Sequence, residues 1–362
     1  MRNGYQDLGS QDGDTTGKQA IGDRLFIDDL NNYFGVRLNV LPFKAVTNAL
    51  EEEPGDFETR VQLGNPDWIQ LFVAGSVFKN VSIWIENELS TKGELHISWF
   101  RFGFHNLVGQ ALNAWVGILD PLELHAANGR LPMIPPARSE IFFVKTSGGK
   151  GDDSLNLRGG RPAIAVFGSA GPLVYEVGVE NGATLSDPNT RMNLWGTLRL
   201  EATSGPIEGS SVSVFGYLGE DTKKIVDAAG TFTGTNENDF WRISPAANLR
   251  LRDLDVIAAY VFARDDNYTL AANGSEVEAE FQGVFLQAGH PLGTMFHLAA
   301  QYDGIWSDDD PKLELQKLAL ALSFQPRENW RIILMPRFDL QSKDDAHPRR
   351  QHEVTAMIRT MF

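Results

Sequence analysis

The sequence contains no cysteine. Disulfide bonds, zinc–thiolate sites and covalent haem attachment are therefore excluded within this chain, and we expect it to hold no cofactor of its own. Basic residues are in deficit, because 47 aspartates and glutamates face 32 lysines and arginines, which gives a formal net charge of -15. Nucleic acids carry a dense negative charge, so a chain this acidic is not expected to bind them.

Long hydrophobic runs are missing as well. No stretch approaches the ~18 consecutive apolar residues of a transmembrane helix, and the mean hydropathy is -0.22. This does not exclude a membrane protein, because a strand of a transmembrane barrel presents an apolar side chain to lipid only at every second residue. The sequence is well supplied with 35 glycines and with 10% aromatic residues, a composition that suits many strands joined by turns.

The clearest strand pattern lies in residues 351–362. Apolar or small side chains occupy every second position there and alternate with a more polar set. Period two in hydrophobicity is typical of a strand with one apolar and one wetter face. Roughly ten residues is also the length that a tilted strand needs to cross a bilayer. The alternative for this segment alone is an edge strand of a soluble β-sandwich.

Similar segments recur about sixteen times along the chain. The strand candidates are residues 34–43, 69–77, 81–89, 95–104, 111–118, 163–168, 173–180, 192–202, 210–217, 241–250, 254–263, 278–289, 294–304, 312–324, 329–340 and 351–362. Short turns are predicted near 78–80, 169–172, 252–253, 290–293 and 325–328. Longer polar connections are predicted near 44–68, 119–162, 181–191, 218–240, 264–277 and 341–350. This alternation of short and long connections is required by an up-and-down barrel, whereas a Greek-key sandwich gives no reason for it.

Several of these segments resemble strands of outer-membrane porins, namely 80–86, 112–121 and 175–182, and 351–362 resembles the closing strand of bacterial outer-membrane β-barrels. The likeness extends to phosphate-selective-type porins and to the barrel subunits of porin–cytochrome electron conduits. It implies a place in the outer membrane of a Gram-negative bacterium, in contact with lipid and lipopolysaccharide. It also implies that the barrel assembly machinery reads a signal in the closing strand, carried by Val354, Ala356, Ile358 and Phe362.

The predicted fold is all-β, a transmembrane up-and-down antiparallel β-barrel of about sixteen strands formed by residues 31–362. Residues 1–30 are polar and unpatterned, and we expect them to form an arm in the periplasm or in the lumen. An even strand count leaves both termini on the periplasmic side, so the long connections are external. Aromatic rings then collect at both lipid interfaces. The expected belts are Phe34, Phe296, Phe324, Trp330 and Phe362 at the periplasmic end and Trp68, Trp241, Tyr260, Phe262, Tyr302 and Phe338 at the external end.

The third long connection, 119–162, is set apart by its length. A structureless segment of this size within a compact protein is usually functional, and its prolines stiffen it by fixing φ. The resemblance to general porins implies that it folds into the barrel and narrows it. The alternative is a loop that packs over the mouth or against a neighbouring protomer. The candidate constriction residues are Asp120, Glu123, Arg130, Arg138, Glu140 and Lys145.

Charged side chains are also expected on the face of the strands that lines the lumen. The candidates are Arg37, Glu86, Arg199, Arg250, Arg331, Arg337 and Arg359. Rings of charge along a pore bias which ions pass. The alternative is simple pairing of the arginines with wall carboxylates such as Glu86, Glu201 and Glu353.

The same face carries more apolar bulk than a water-filled pore needs. Its large apolar residues are Trp84, Trp115, Trp195, Ile257, Val261, Ile333, Met335 and Met357. Either the third connection packs against them or another protein occupies the lumen. The first hypothesis is a porin for passive diffusion of small polar solutes or ions, in which a homo-oligomer is possible. The second is a barrel that encloses a multihaem c-type cytochrome, so that haem would enter only through a partner.

Enzymatic chemistry finds little support in the sequence. A hydrolase would need a nucleophile or paired acids beside a histidine, and the seven histidines show no motif spacing. We therefore expect neither a catalytic site nor a metal site in this chain.

The first testable prediction concerns Phe362. Deleting this residue should sharply reduce insertion into the outer membrane, because the closing strand would lose the aromatic residue that the resemblance identifies as part of the assembly signal. The measurement is the amount of heat-modifiable barrel in outer-membrane fractions. An unchanged amount would contradict the prediction.

Overall fold

The structure is a computed structural model that describes most of the chain. The described residues are 19–21, 25–26, 34–49, 57–89, 93–128, 139–144, 156–157, 159–182, 191–226, 232–270, 276–327, 329–341 and 351–361. Most of the predicted arm at 1–30 lies outside them, as do the predicted site residues Arg130, Arg138, Lys145 and Phe362.

Sixteen antiparallel strands close into one barrel. We number them β1 (Phe34–Ala49), β2 (Phe57–Phe78), β3 (Val81–Leu89), β4 (Leu95–Phe104), β5 (Asn113–Leu119), β6 (Arg161–Ala170), β7 (Leu173–Glu180), β8 (Asn193–Glu201), β9 (Ser211–Val226), β10 (Phe232–Leu251), β11 (Leu254–Leu270), β12 (Glu276–Leu292), β13 (Phe296–Trp306), β14 (Leu315–Arg327), β15 (Trp330–Asp339) and β16 (Gln351–Met361). Each overlaps one of the segments that the alternating pattern predicts. The predicted sixteen-stranded barrel is therefore confirmed.

Three further strands are short and lie outside the barrel order. Gln19–Ile21 pairs with Leu25–Phe26 as a separate two-stranded sheet. Leu107–Gln110 belongs to the connection between β4 and β5. Within the described ranges there is no helix long and apolar enough to cross a membrane.

Closure of the barrel depends on the pairing of the last strand with the first. β16 runs antiparallel to β1, with Met361 opposite Arg37 and Gln351 opposite Asn48. A closed sheet has no free edge, so the backbone N–H and C=O groups of β1 and β16 are bonded in the same way as those of inner strands. This pairing joins residues at the two ends of the described chain.

The two faces of each strand differ as period two requires. On β15 the outward positions Trp330, Leu334 and Phe338 are 40%, 50% and 38% exposed, whereas the inward positions Ile333 and Met335 are each 1% exposed. On β16, Val354 is exposed on the outer face with Ala356 and Ile358 on the same side, and Met357 is buried inside. The outer surface of the barrel is therefore apolar, with aromatic rings at both ends of β15.

Three of the predicted long connections are wrong. The segments 44–68, 218–240 and 264–277 are mostly strand, and the connections between β1 and β2, β9 and β10, and β11 and β12 shrink to 50–56, 227–231 and 271–275. Between β9 and β10 the strand ends are polar on both faces, as in the pairs Asp221–Asn238 and Thr222–Glu237. Backbone pairing continues there, although the hydrophobic alternation that reveals a strand is absent. At the start of β2 the alternation is present, because Val61 and Leu63 pair with Ala45 and Phe43 on one face.

The outer face of β15 yields a test of membrane depth. Leu334 lies midway between the two aromatic ends of the strand, so Leu334→Arg should destabilise the barrel by about 2–4 kcal/mol, because an arginine there faces the middle of the lipid layer. Leu340→Arg is the matched control at the end of the same face and should cost about 0–1 kcal/mol. Equilibrium refolding into lipid vesicles measures both values. Equal losses would contradict the assigned lipid band.

Candidate functional site

The interior of the barrel is partly filled by the third connection. Its residues Leu122, Ala126, Ile141 and Phe142 are at most 1% exposed and belong to one buried apolar cluster. The wall members of this cluster are Trp115, Leu119, Ala163, Ala165, Trp195, Phe215, Tyr217, Phe240, Ala246, Ile257, Ala259, Val261, Ala263, Phe281, Phe285 and Ile305. These positions lie on strands between β5 and β13. The connection therefore packs inside the barrel against more than half of its inner circumference.

The first part of the connection, 120–128, forms a series of tight turns. The Asp120 carboxylate accepts the backbone N–H of Leu122 at 3.0 Å, and the Asp120 carbonyl accepts that of Glu123 at 3.0 Å. The wall contributes as well, because the Ser213 hydroxyl oxygen accepts the backbone N–H of Ala126 at 2.9 Å. Buried backbone groups of a loop need such partners, since an unbonded one costs free energy.

His125 is the polar centre of this turn segment. It is fully buried, its Nε2 donates to the Ser244 carbonyl oxygen at 3.0 Å, and its ring makes edge contacts with Phe142 and Phe215. Burial lowers the pKa of His125 to about 4. The hydrogen bond to Ser244 acts to raise this pKa, and the positive charge of Arg199 acts to lower it further. The imidazole is therefore neutral at neutral pH.

Glu140 anchors the second part of the connection, which contains the short 3-10 turn Glu140–Phe142. Its backbone N–H donates to an Asp303 carboxylate oxygen at 2.8 Å. Its own carboxylate accepts Lys317 Nζ at 3.1 Å and also pairs with Arg337. Burial by itself raises the pKa of Glu140, but the charges of Lys317 and Arg337 lower it below the ordinary value. Glu140 is therefore ionised and binds the connection to β13, β14 and β15.

The predicted wall charges are brought into several separate contacts. Arg37 lies 3.7 Å from Glu86, and Gln70 bonds to both of them. Arg199 pairs with Glu201 and donates to the carbonyl oxygen of the third connection's Leu124 at 3.0 Å. The predicted pairing with wall carboxylates therefore applies to these two arginines.

Among the remaining predicted arginines, Arg337 pairs with Glu140 of the third connection, and Arg359 and Arg331 each donate to a neutral side chain. Arg359 Nε donates to Asn39 Oδ1 at 2.8 Å, and Arg331 Nη2 donates to the Ser323 hydroxyl oxygen at 3.1 Å. For Arg250 the backbone N–H, rather than the side chain, donates to the Ser210 hydroxyl oxygen at 2.8 Å.

An aromatic pocket lies where the third connection leaves β5. Its walls are Trp84, Trp99 and Trp115, and the Arg101 guanidinium sits 5.5 Å from the Trp84 ring and 4.5 Å from the Trp115 ring. Glu123 approaches Arg101 at 3.5 Å. This contact joins Glu123, one of the predicted constriction residues, to Arg101 of the barrel wall.

Interior residues that the sequence does not single out as site residues include Arg101, Lys317 and His125. Arg101 and Lys317 lie at inward positions of β4 and β14, so strand alternation carries a signal that could have found them. His125 lies in an irregular segment, where no periodicity indicates that its ring is buried.

The geometry defines a closed transmembrane-type barrel with an inward-folded connection, and comparisons with solved structures identify the same fold. Similar structures include the anion-selective porin from Comamonas acidovorans, with a TM-score of 0.62 and 12% identity over 91% of this chain and 99% of that one. The outer membrane channel DcaP of Acinetobacter baumannii has a TM-score of 0.58 and 13% identity, and the match covers 91% of this chain and 98% of that one. The trimer form of OmpT, an outer membrane protein of Vibrio cholerae, has a TM-score of 0.56 and 11% identity, and the match covers 91% of this chain and 99% of that one.

These similarities show that the chain has the fold of outer-membrane porins. No family model and no curated protein matches the sequence.

The burial of His125 predicts a pH dependence of the docked connection. An undocked His125 would have its ordinary pKa of 6.5, so it binds a proton more readily than the docked one, whose pKa is about 4. Docking is therefore strongest above pH 6.5 and should weaken by about 3 kcal/mol as the pH falls to about 4. Glu140, whose pKa is lowered, stays ionised through most of this window and contributes no loss there.

The measurement is the rate of limited proteolysis of the third connection in the folded barrel at about pH 7.5 and about pH 5. Wild type should be cleaved faster at the lower pH. His125→Gln keeps an N–H donor but does not titrate, so its rate should change little. A wild-type rate that is independent of pH would contradict the assigned role of His125.

Proposed function

We propose that this protein forms a channel for passive diffusion of small polar solutes or ions across the outer membrane of a Gram-negative bacterium. The observation that carries the proposal is the third connection, which lies docked inside a closed barrel. A connection in that place narrows the lumen of the barrel without blocking it. The solved structures of similar fold support the proposal, since they include a porin and an outer membrane channel.

The docked connection also determines where we infer that the passage runs. It covers the wall between β5 and β13, and Glu140 marks its far side at β14 and β15. The proposed passage therefore follows the remaining wall, formed by β16 and β1–β3. That wall carries Arg359, Arg37 and Glu86, and Lys317 and Arg337 lie beside it where they pair with Glu140, so a solute would move along charged groups. Arg130, Arg138 and Lys145 stay predicted members of the constriction.

The alternative is a barrel that forms a sheath around a multihaem cytochrome, for which the apolar inner wall is one reason. The chain's own third connection packs with Trp115, Trp195, Ile257 and Val261 of that wall, so this part of the wall needs no partner protein to cover it. A second inward cluster that includes Ile333, Met335 and Met357 lies apart from the third connection's cluster. The sheath therefore stays a prediction, and a haem-stained gel of the natively purified protein would test it. A homo-oligomer is part of our proposal, supported by the trimer form named for one similar structure.

The channel proposal predicts the effect of shortening the third connection. Deleting residues 125–155 should raise single-channel conductance in planar bilayers, because the anchors at His125 and Glu140 and the packed segment between the walls would be removed. Replacing Arg130 and Arg138 in the intact chain should shift ion selectivity towards cations, since positive potential at the constriction would be lost.

Shortening another external connection within residues 342–350 is the matched control, and it should leave the conductance near the wild-type value. A cytochrome sheath predicts a different result. The isolated barrel would then conduct heavily with or without residues 125–155, and the native preparation would contain a haem protein in fixed proportion. That combination would refute the channel proposal.

A further inference from the structure

A small cavity lies between the inner wall and the first turns of the third connection. Its walls are side chains of β3, β4 and β5 and of the residues that follow β5, and it is partly open rather than enclosed. Its volume of about 10 Å³ admits one group of the size of a water molecule. The lining includes Trp84, Trp99, Arg101, Trp115, Asp120 and Glu123. The cavity therefore combines three aromatic rings with two carboxyl groups.

The aromatic rings of the cavity already hold a positive charge. The guanidinium carbon of Arg101 lies 4.5 Å from the centre of the Trp115 ring and 5.5 Å from that of the Trp84 ring. Trp99 continues this aromatic surface, since its ring centre is 6.4 Å from that of Trp84. A cation is attracted to the face of such a ring within about 6 Å, and tryptophan attracts it best. The rings therefore favour a cation in this place.

The two carboxyl groups of the cavity add hydrogen-bond acceptors. The Asp120 carboxylate accepts the backbone N–H of Leu122 at 3.0 Å, and the Glu123 carboxylate lies 3.5 Å from the Arg101 guanidinium. An ionised carboxylate offers about four acceptor positions on its two oxygens. Each carboxylate can therefore keep these contacts and accept an N–H donor of a ligand.

A third carboxyl group lies close to the same two acids. Glu176 of β7 is 1% exposed, and neither of its oxygens is hydrogen-bonded to a described side chain, although the backbone of Leu124 approaches it. The charges of Asp120, Glu123 and Arg101 all act on Glu176. A cation bound among these acids would stabilise the ionised form of Glu176 as well.

An ammonium group fits this arrangement better than a metal ion does. A metal ion such as calcium needs several oxygen ligands that converge on one point. Within the described part of the chain, no group of three or more histidine, aspartate and glutamate residues is arranged to hold one. An ammonium group needs acceptors for its N–H donors and is also attracted by aromatic faces. A primary ammonium head group has the size that the cavity admits, whereas the methyl groups of a quaternary one exceed it.

From these observations we propose that Trp99, Asp120 and Glu123 form a site for the head group of a primary ammonium ion, beside Arg101. The site deepens the proposed channel function and rests on it for its role, because the cavity adjoins β3 of the wall along which we infer that solutes pass. Binding at equilibrium does not require conduction. The site and the channel can therefore be tested separately.

The test is isothermal titration calorimetry of the detergent-solubilised full chain with methylammonium chloride, at constant ionic strength so that screening is equal throughout. Wild type should bind methylammonium. In Glu123→Gln the dissociation constant should rise about tenfold or more, the effect of losing a charge-assisted hydrogen bond. In Trp99→Leu it should rise about threefold or more, because a cation–π contact is lost. Each variant is assayed as heat-modifiable barrel, so that unfolded protein does not contribute.

Glu278→Gln and Trp330→Leu are the matched controls. They remove the same kinds of side chain from exposed positions on the outer face, and their dissociation constants should stay within about twofold of wild type. Arg101→Gln removes the cation that the cavity already holds, so it should bind methylammonium about threefold more tightly. A variant that only disturbed the fold would bind it more weakly.

Two further solutes test the chemistry of the ligand. Tetramethylammonium chloride has the same charge but no N–H donor and a larger head group, and sodium chloride supplies a metal ion. Both cations should bind wild type about tenfold more weakly than methylammonium, because neither can donate a hydrogen bond to the carboxylates.

The outcomes separate the two proposals. Wild type that binds methylammonium no better than sodium or tetramethylammonium overturns the site, and equal binding by wild type, Glu123→Gln and Trp99→Leu overturns it as well. Selective methylammonium binding by a wild type that does not conduct in planar bilayers supports the site and refutes the channel proposal. A wild type that conducts but binds no methylammonium refutes the site and supports the channel proposal.

Discussion

The constraint on which this structure depends is the need to bond every backbone N–H and C=O group that faces lipid. Water is absent from the bilayer core, so a sheet in that position must close on itself. In this chain closure is made by β16 and β1, whose pairing brings Met361 against Arg37. The remaining strands are joined to their sequence neighbours, which requires no long crossing connection. A break at this one seam would expose two edges to lipid at once.

Closure creates an interior whose apolar and charged wall residues need partners. Between β5 and β13 the inner wall is apolar, and such a wall facing water would be unfavourable. The third connection covers it with Leu122, Ile141 and Phe142 and brings His125 into a dry environment as a neutral side chain. On the other side Glu140 meets Lys317 and Arg337. One segment therefore packs against the apolar wall on one side and is held by ion pairs on the other.

The sequence predicts the barrel well because its strands carry their own local signal. Period two and the alternation of connection lengths give all sixteen strands, including β16 with its outward Val354 and inward Met357. The signal fails at the ends of β9 and β10, where both faces are polar and backbone pairing leaves no trace in side-chain hydrophobicity. It also fails for contacts that cross the interior, such as that of Glu140 with Arg337, because local spacing carries no information about which side chains meet there. The placement of Arg331 opposite Arg359 requires the register of β15 against β16, which a pattern of period two does not determine.

The third connection has a mechanical consequence that follows from its two attachments. It leaves the wall at β5, is held to β9 by the Ser213 hydroxyl, and is tied by Glu140 to β14 and β15 on the far side. Its two described parts, 120–128 and 139–144, are therefore held by different strands of the inner wall. Loss of one attachment leaves the other in place, so the connection leaves the lumen completely only when both attachments break.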